Sequence, residues 1–143
     1  MASLRIALAA STLAIAACST AQVDIDLPES PLALNDWVEG DDSMAALLEG
    51  TLAIHSGCLV VVPDELGDAI IVAFPRSLVE WDASTGVLTY GGVEYRIGDH
   101  VSMGGGGLET NASIDMPEAC VALNQPYVFF LMDTTLEPWT PPE

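Results

Sequence analysis

The sequence predicts an all-β domain: a small barrel of five to seven strands with one short helical turn. Three observations predict it. Apolar runs of four to six residues recur at close spacing, too short for helices. Glycine, proline and aspartate punctuate them at turn positions. One segment, Val87–Arg96 with Gly91-Gly92 at its centre, has the pattern of a two-residue hairpin.

In chain order, Ser43–Glu49 leads either into a helical turn or straight into the first strand. Gly50–His55 alternates, with Leu52 and Ile54 against Thr51 and Ala53. Ser56-Gly57 is a hairpin turn. Cys58–Val62 is a continuous apolar run, as a buried strand requires, and Ala69–Phe74 is a second, stopped by Pro75. Val79–Trp81 is a short strand, followed by the hairpin Val87–Tyr90 and Val93–Arg96. The Gly91-Gly92 pair supplies the positive φ angles that such a turn needs. Gly98-Asp99 turns into His100–Met103. Four consecutive glycines, Gly104–Gly107, read as a flexible or bulged strand end. Asp115–Cys120 is the helical turn, with Pro117 in its first turn and Glu118 at its positive end. Tyr127–Met132 is the last strand. A domain bounded by residues 49 and 133 favours an OB-like barrel, because that architecture accommodates a helix and uses glycines where strands bend. A small β-sandwich is the alternative.

The N-terminus carries the most specific signal. Arg5, the apolar stretch Ile6–Ala17 and small residues before Cys18 have the layout of an export signal. Ile15-Ala16-Ala17-Cys18 resembles a bacterial lipobox, in which the cysteine is lipidated and becomes the mature N-terminus. The expected organisation is a lipoprotein signal peptide at 1–17, an acidic tether at 18–48 that docks through Trp37, the β domain at 49–133, and a Pro-rich tail at 134–143. The expected location is the cell envelope, extracytoplasmic and membrane-anchored through Cys18. The apolar stretch is shorter than the ~20 residues of a spanning helix.

Charge narrows the function. The chain has 21 acidic residues, three basic ones and a formal charge of −18. Removal of Arg5 with the signal makes it more negative, and the sequence contains no lysine. Schiff-base and P-loop chemistry are therefore excluded. Nucleic acid is not an expected partner, because its phosphates need a basic patch. The acidity suits a basic partner, cations, or simple solubility. With Cys18 assigned to lipid, Cys58 and Cys120 are left as a pair in an oxidising compartment, so a disulfide is expected.

No constellation forms a strong catalytic motif. Asp99-His100, with His55 and Ser56, suggests a hydrolase. Neighbours on a strand face opposite sides, however, so Asp99 is poorly placed to orient His100, and the Gly-x-Ser-x-Gly elbow is absent. His55 and His100 with Glu94 or Asp99 match no zinc spacing. Asp24, Asp26, Asp41 and Asp42 do not continue as an EF-hand loop. Gly104–Gly107 lacks the lysine of a phosphate loop. No metal or cofactor is expected. Of the strand aromatics, Tyr127, Phe129 and Phe130 are the candidate binding residues, since Phe129 is expected to face opposite Tyr127 and Phe130 and one set would be exposed.

The segments Gly50-Thr51-Leu52, Gly57-Cys58-Leu59-Val60-Val61, Phe74-Pro75, Gly92–Val101, Gly104-Gly105-Gly106 and Pro117-Glu118-Ala119-Cys120 together resemble a small β-barrel domain of uncharacterised bacterial lipoproteins and secreted proteins. The resemblance covers a little over half of the chain. It implies a compact extracytoplasmic β domain with a disulfide, and no particular activity. The expected function is non-enzymatic binding of an envelope component or protein partner. The alternatives are a passive structural lipoprotein and a small hydrolase using His100 or His55.

Overall fold

The computed structural model describes residues 27–65, 67–110 and 114–138. The signal segment 1–17, Cys18, Asp24 and Asp26 lie outside the described residues. Among the described residues, nine strands and one helical turn follow in order: β1 (Ala33–Asn35), β2 (Ala46–His55), β3 (Cys58–Pro63), β4 (Ile70–Pro75), β5 (Val79–Asp82), β6 (Val87–Tyr90), β7 (Val93–Arg96), β8 (His100–Glu109), α1 (Glu118–Val121) and β9 (Tyr127–Leu131).

Five of the strands close into a barrel. The ladder runs β4, β3, β2, β8, β9, and β9 returns to β4. All neighbours are antiparallel except β4 and β9, which pair in parallel at Val72↔Phe129 and Ala73↔Phe130. This is the strand order of an OB barrel, the expected fold class. Closure leaves no barrel strand with a full-length open edge.

The continuous apolar runs have a simple cause: these strands are buried on both faces. Leu59, Val61, Val72, Phe74, Phe129 and Leu131 point inward and join Leu52, Val101 and Met103 in the barrel core. Cys58, Val60, Ile71, Ala73 and Val128 point the other way, into a second cluster with Ala33 and Cys120. Each fully buried Leu, Val or Phe contributes ~1.5–3 kcal/mol by leaving water. The second cluster exists because α1 lies over the outside of β3 while β1 extends the sheet beside β4 and contributes Ala33, and the Cys58–Cys120 disulfide bonds α1 to the barrel.

The strands β5, β6 and β7 form a separate antiparallel sheet, inserted between β4 and β8. One of its faces carries Val79, Trp81, Leu88, Tyr90 and Tyr95, all packed on the barrel core. Its other face carries Glu80, Asp82, Thr89, Glu94 and Arg96. The Gly91-Gly92 hairpin forms as expected, with φ of 57° and 82° and Tyr90 opposite Val93. The Ser56-Gly57 turn does the same at 50° and 86°.

The ordered domain is larger than 49–133. Leu32, Ala33 and Asn35, expected in the tether, are buried, and β1 pairs in parallel with β4 over Ala33↔Ala73 to Asn35↔Pro75. Docking therefore runs through Leu32–Asn35 more than through Trp37, whose indole N–H donates to the carbonyl of Asp42 in its own loop. Asn35 is fully buried, and its amide donates to the carbonyls of Ala73 at 2.7 Å and Leu131 at 3.1 Å. Its side-chain oxygen accepts the N–H of Trp37. At the other end Leu136, expected in the tail, is buried in the core, and its carbonyl accepts the N–H of Ser102. The first barrel strand begins at Ala46, which settles Ser43–Glu49 in favour of strand entry.

The glycine run is not a strand end. Gly104–Gly107 lies inside the ten-residue β8, flanked by β2 on one side and β9 on the other. The reason is close approach. A Cβ on Gly105 would strike the Phe130 carbonyl, and one on Gly106 would strike the Met44 side chain. Pro117 is the N-cap of α1, with extended φ and ψ, and not a residue of its first turn.

Candidate functional site

An open cleft of about 400 Å³ lies where β2 enters the barrel and β3 leaves it. β3 ends at Pro63, which has no N–H to extend the ladder, and the chain turns at Asp64 and Glu65. β2 continues the other way, toward Ala46, paired there, among the described residues, only with β8. The two strands diverge, and the gap exposes the edge of the barrel core. Leu48, Ile70 and Phe129 line its floor; Leu47, Glu49, Asp64 and Glu65 line its rim. Leu47 is 65% exposed, the most exposed large apolar side chain among the described residues.

His100 stands beside this rim. Its Nε2 lies 2.7 Å from a carboxylate oxygen of Asp64. The hydrogen bond to Asp64 raises the histidine pKa; desolvation opposes it, and the charges of Asp64 and Glu49 add smaller rises. Ser102, two residues along β8 and buried, donates its hydroxyl to Glu49 at 3.2 Å.

This arrangement separates the elements of a triad. The partner of His100 is Asp64, while Asp99 accepts the backbone N–H of Arg96 in the turn. Ser102, two residues along β8, directs its proton at a carboxylate and not at the imidazole. A nucleophile needs the opposite: a hydroxyl whose proton the histidine can take. His55 sits at the far end of β2, beside Asp68, Leu123 and Gln125. His100 pairs with Thr51, four residues from His55, or ~13 Å at strand rise. The two histidines do not share a site. Among the described residues, no three His, Cys, Asp or Glu side chains gather as metal ligands. Glu94 lies on the outer face of the small sheet, and Asp41 lies in the loop before β2.

The expected aromatic surface does not assemble. Tyr127 is 60% exposed, Phe130 is half-buried, and Phe129 is a core residue at 8% that reaches the cleft floor. Contrary to the expected division, Tyr127 and Phe129 share one face of β9, because residues two apart on a strand point the same way, but Tyr127 stands near the strand's end, opposite Glu109, where the core has run out. Elsewhere aromatic hydroxyls serve the fold. Tyr90 donates to the carbonyl of Asp133, and burial, reinforced by the Asp133 charge, raises its pKa. Tyr95 donates to Glu137; burial first, and that carboxylate second, push its pKa up to about 12.

Sequence reasoning missed Leu47, Glu49, Asp64 and Ile70 as members of one site. Asp64 was legible as an acidic turn, but no local pattern joins it to His100, 36 residues away. The expected Cys58–Cys120 disulfide is present. Among the described residues no helix is long and apolar enough to cross a membrane. No family model matches the chain, and comparisons with curated proteins and with solved structures return no match.

Proposed function

We propose that this chain is a lipid-tethered, extracytoplasmic binding module that holds a protein partner or envelope component in the cleft between β2 and the β3–β4 turn. The observation that carries the reading is the cleft itself. Leu47 is exposed beside an open gap that is floored by Leu48, Ile70 and Phe129 and rimmed by carboxylates. Exposed apolar surface of this kind costs stability and is kept where something covers it. The tether part of the reading rests on the lipobox-like Ile15-Ala16-Ala17-Cys18. The role is non-enzymatic, because His100 and Ser102 are each committed to a different carboxylate.

The test combines two measurements in cells that make the native chain. Labelling with an alkyne fatty acid should mark the protein, and Cys18→Ser should abolish the label and release it from membranes. A photo-crosslinker at position 47 should then join the wild-type protein to a discrete partner, while one at exposed Glu80 on the small sheet should not. A chain that stays membrane-bound without Cys18 would overturn the anchoring. Equal, diffuse crosslinking from both positions would overturn the cleft and leave a passive structural lipoprotein.

A further inference from the structure

Building on that binding reading, we infer that the cleft takes an extended segment of a basic protein partner, added as a strand to the open edge of β2 at Leu47. Three observations converge on it. The first is backbone register. The hairpin closes on the pair His55↔Cys58, and alternate pairs of an antiparallel ladder exchange hydrogen bonds. Odd-numbered residues of β2 therefore turn their N–H and C=O toward β3. Glu49 keeps this pattern, since its carbonyl accepts the amide of Asp64. Leu47 comes next, but the β2–β3 ladder has already ended at Gly50↔Pro63. Among the described residues no strand lies against Leu47 on that side, while β8 holds its other side through Gly104. The N–H and C=O of Leu47, facing an open gap, offer a further strand its first pair of backbone bonds.

The second observation is the lining. Side chains of an added strand would alternate between the apolar floor of Leu48, Ile70 and Phe129 and the solvent side, where Glu49, Asp64 and Glu65 stand. A segment with alternating apolar and cationic residues satisfies both. The third is the charge of the whole chain. At −18, with no lysine, it attracts a basic segment and repels acidic ones. A second copy of this chain would bring chiefly carboxylates to a rim of carboxylates, so the occupant is a different protein.

The test uses the full mature chain in detergent micelles and a short synthetic peptide of alternating valine and lysine. Calorimetry should show saturable binding, with the amides of Leu47 and Glu49 shifting in NMR spectra and the Leu47 amide gaining protection from hydrogen exchange. Leu47→Pro removes the amide that faces the gap and spares the β8 ladder, whose bonds run through the even-numbered residues of β2. It should weaken binding roughly tenfold or more. Glu65→Lys should weaken the valine–lysine peptide and favour its valine–glutamate counterpart. Three results would overturn the inference: no saturable binding, equal binding of a serine–lysine peptide that lacks the apolar face, or binding unchanged by Leu47→Pro. If the crosslinker at position 47 captures a discrete partner that is acidic or not a protein, the strand-addition inference fails and the binding reading stands. If it captures nothing, both fail.

Discussion

The imidazole of His100 and the carboxylate of Asp64, 2.7 Å apart, connect β8 to the turn after β3 and so brace one wall of the cleft. The pair also sets a pH dependence. The hydrogen bond raises the His100 pKa above its ordinary value of ~6.5. A group whose pKa is raised by folding stabilises the fold fully below its unfolded pKa, and that contribution disappears as pH rises through the folded pKa. Both side chains are half exposed, so the effect on global stability is small. The expected signal is local. An NMR titration should place the His100 midpoint above the ordinary histidine value, and Asp64→Asn should lower it. An unchanged midpoint in the variant would remove the pair from the account of the cleft wall.

Asn35 is the polar residue that holds β1 to the barrel. Its amide satisfies the carbonyls of Ala73 on β4 and Leu131 on β9, at the seam where the barrel closes. Removing that donor pair leaves buried carbonyls without a partner, at a cost of about 1–3 kcal/mol. Asn35→Ala should lower the urea midpoint accordingly. Asn35→Asp should do more damage, because it replaces the donor with a carboxylate facing two carbonyl oxygens. Equal stability of Asn35→Ala and the wild type would show that water replaces the amide at the seam.

The legible part of this fold was the part written in local pattern. Two buried runs, two tight turns and a leftover cysteine pair sufficed for a small stapled barrel. What stayed hidden depended on partners distant in sequence. β1 is three residues long and ends in asparagine, which reads as loop; its strand character comes from Ala73 and Pro75 across the ladder. Leu136 looked like tail because prolines follow it, yet the core fills its site. The cleft was invisible because it results from divergence of two strands, and neither Leu47 nor Asp64 carries a local sign of it.

The glycines of β8 make a graded test of close approach. Gly107 has open space where a Cβ would go, and its φ is unexceptional, so Gly107→Ala should be tolerated or gain about 0.5–1 kcal/mol from lower chain entropy. At Gly105 an added Cβ meets backbone at Phe130, and at Gly50 it meets the Val62 carbonyl. Backbone cannot swing aside, so Gly50→Ala and Gly105→Ala should each destabilise by about 1–3 kcal/mol or more. Gly106→Ala should fall between, because its obstacle is the flexible, exposed Met44 side chain. Thermal melts of the four variants give the order directly, and Gly105→Ala as stable as Gly107→Ala would contradict the packing of β8 against β9.

The Cys58–Cys120 bridge should control the outer cover more than the barrel. The two residues are 62 apart in sequence and both are fully buried. Constraining so long a loop in the unfolded chain is worth ~4 kcal/mol in the chain-entropy model. The bridge also has a local task. Cys120 belongs to α1, a helix of only four residues that is too short to hold itself. The carbonyl of Pro31 lies 3.4 Å from the Cys120 sulfur, and Leu59 donates its N–H to that same carbonyl, so β1, α1 and β3 meet at this point. Cys120→Ser should cost about 2–5 kcal/mol and put a hydroxyl into an apolar cluster. Hydrogen exchange should then show where the loss falls. Amides of Leu34, Asp115 and Val121 should lose protection at lower denaturant than those of Leu52 and Val101, because the cover depends on the bridge and the β2–β8 ladder does not. Loss of protection at all five amides together would show that barrel and cover unfold as one unit.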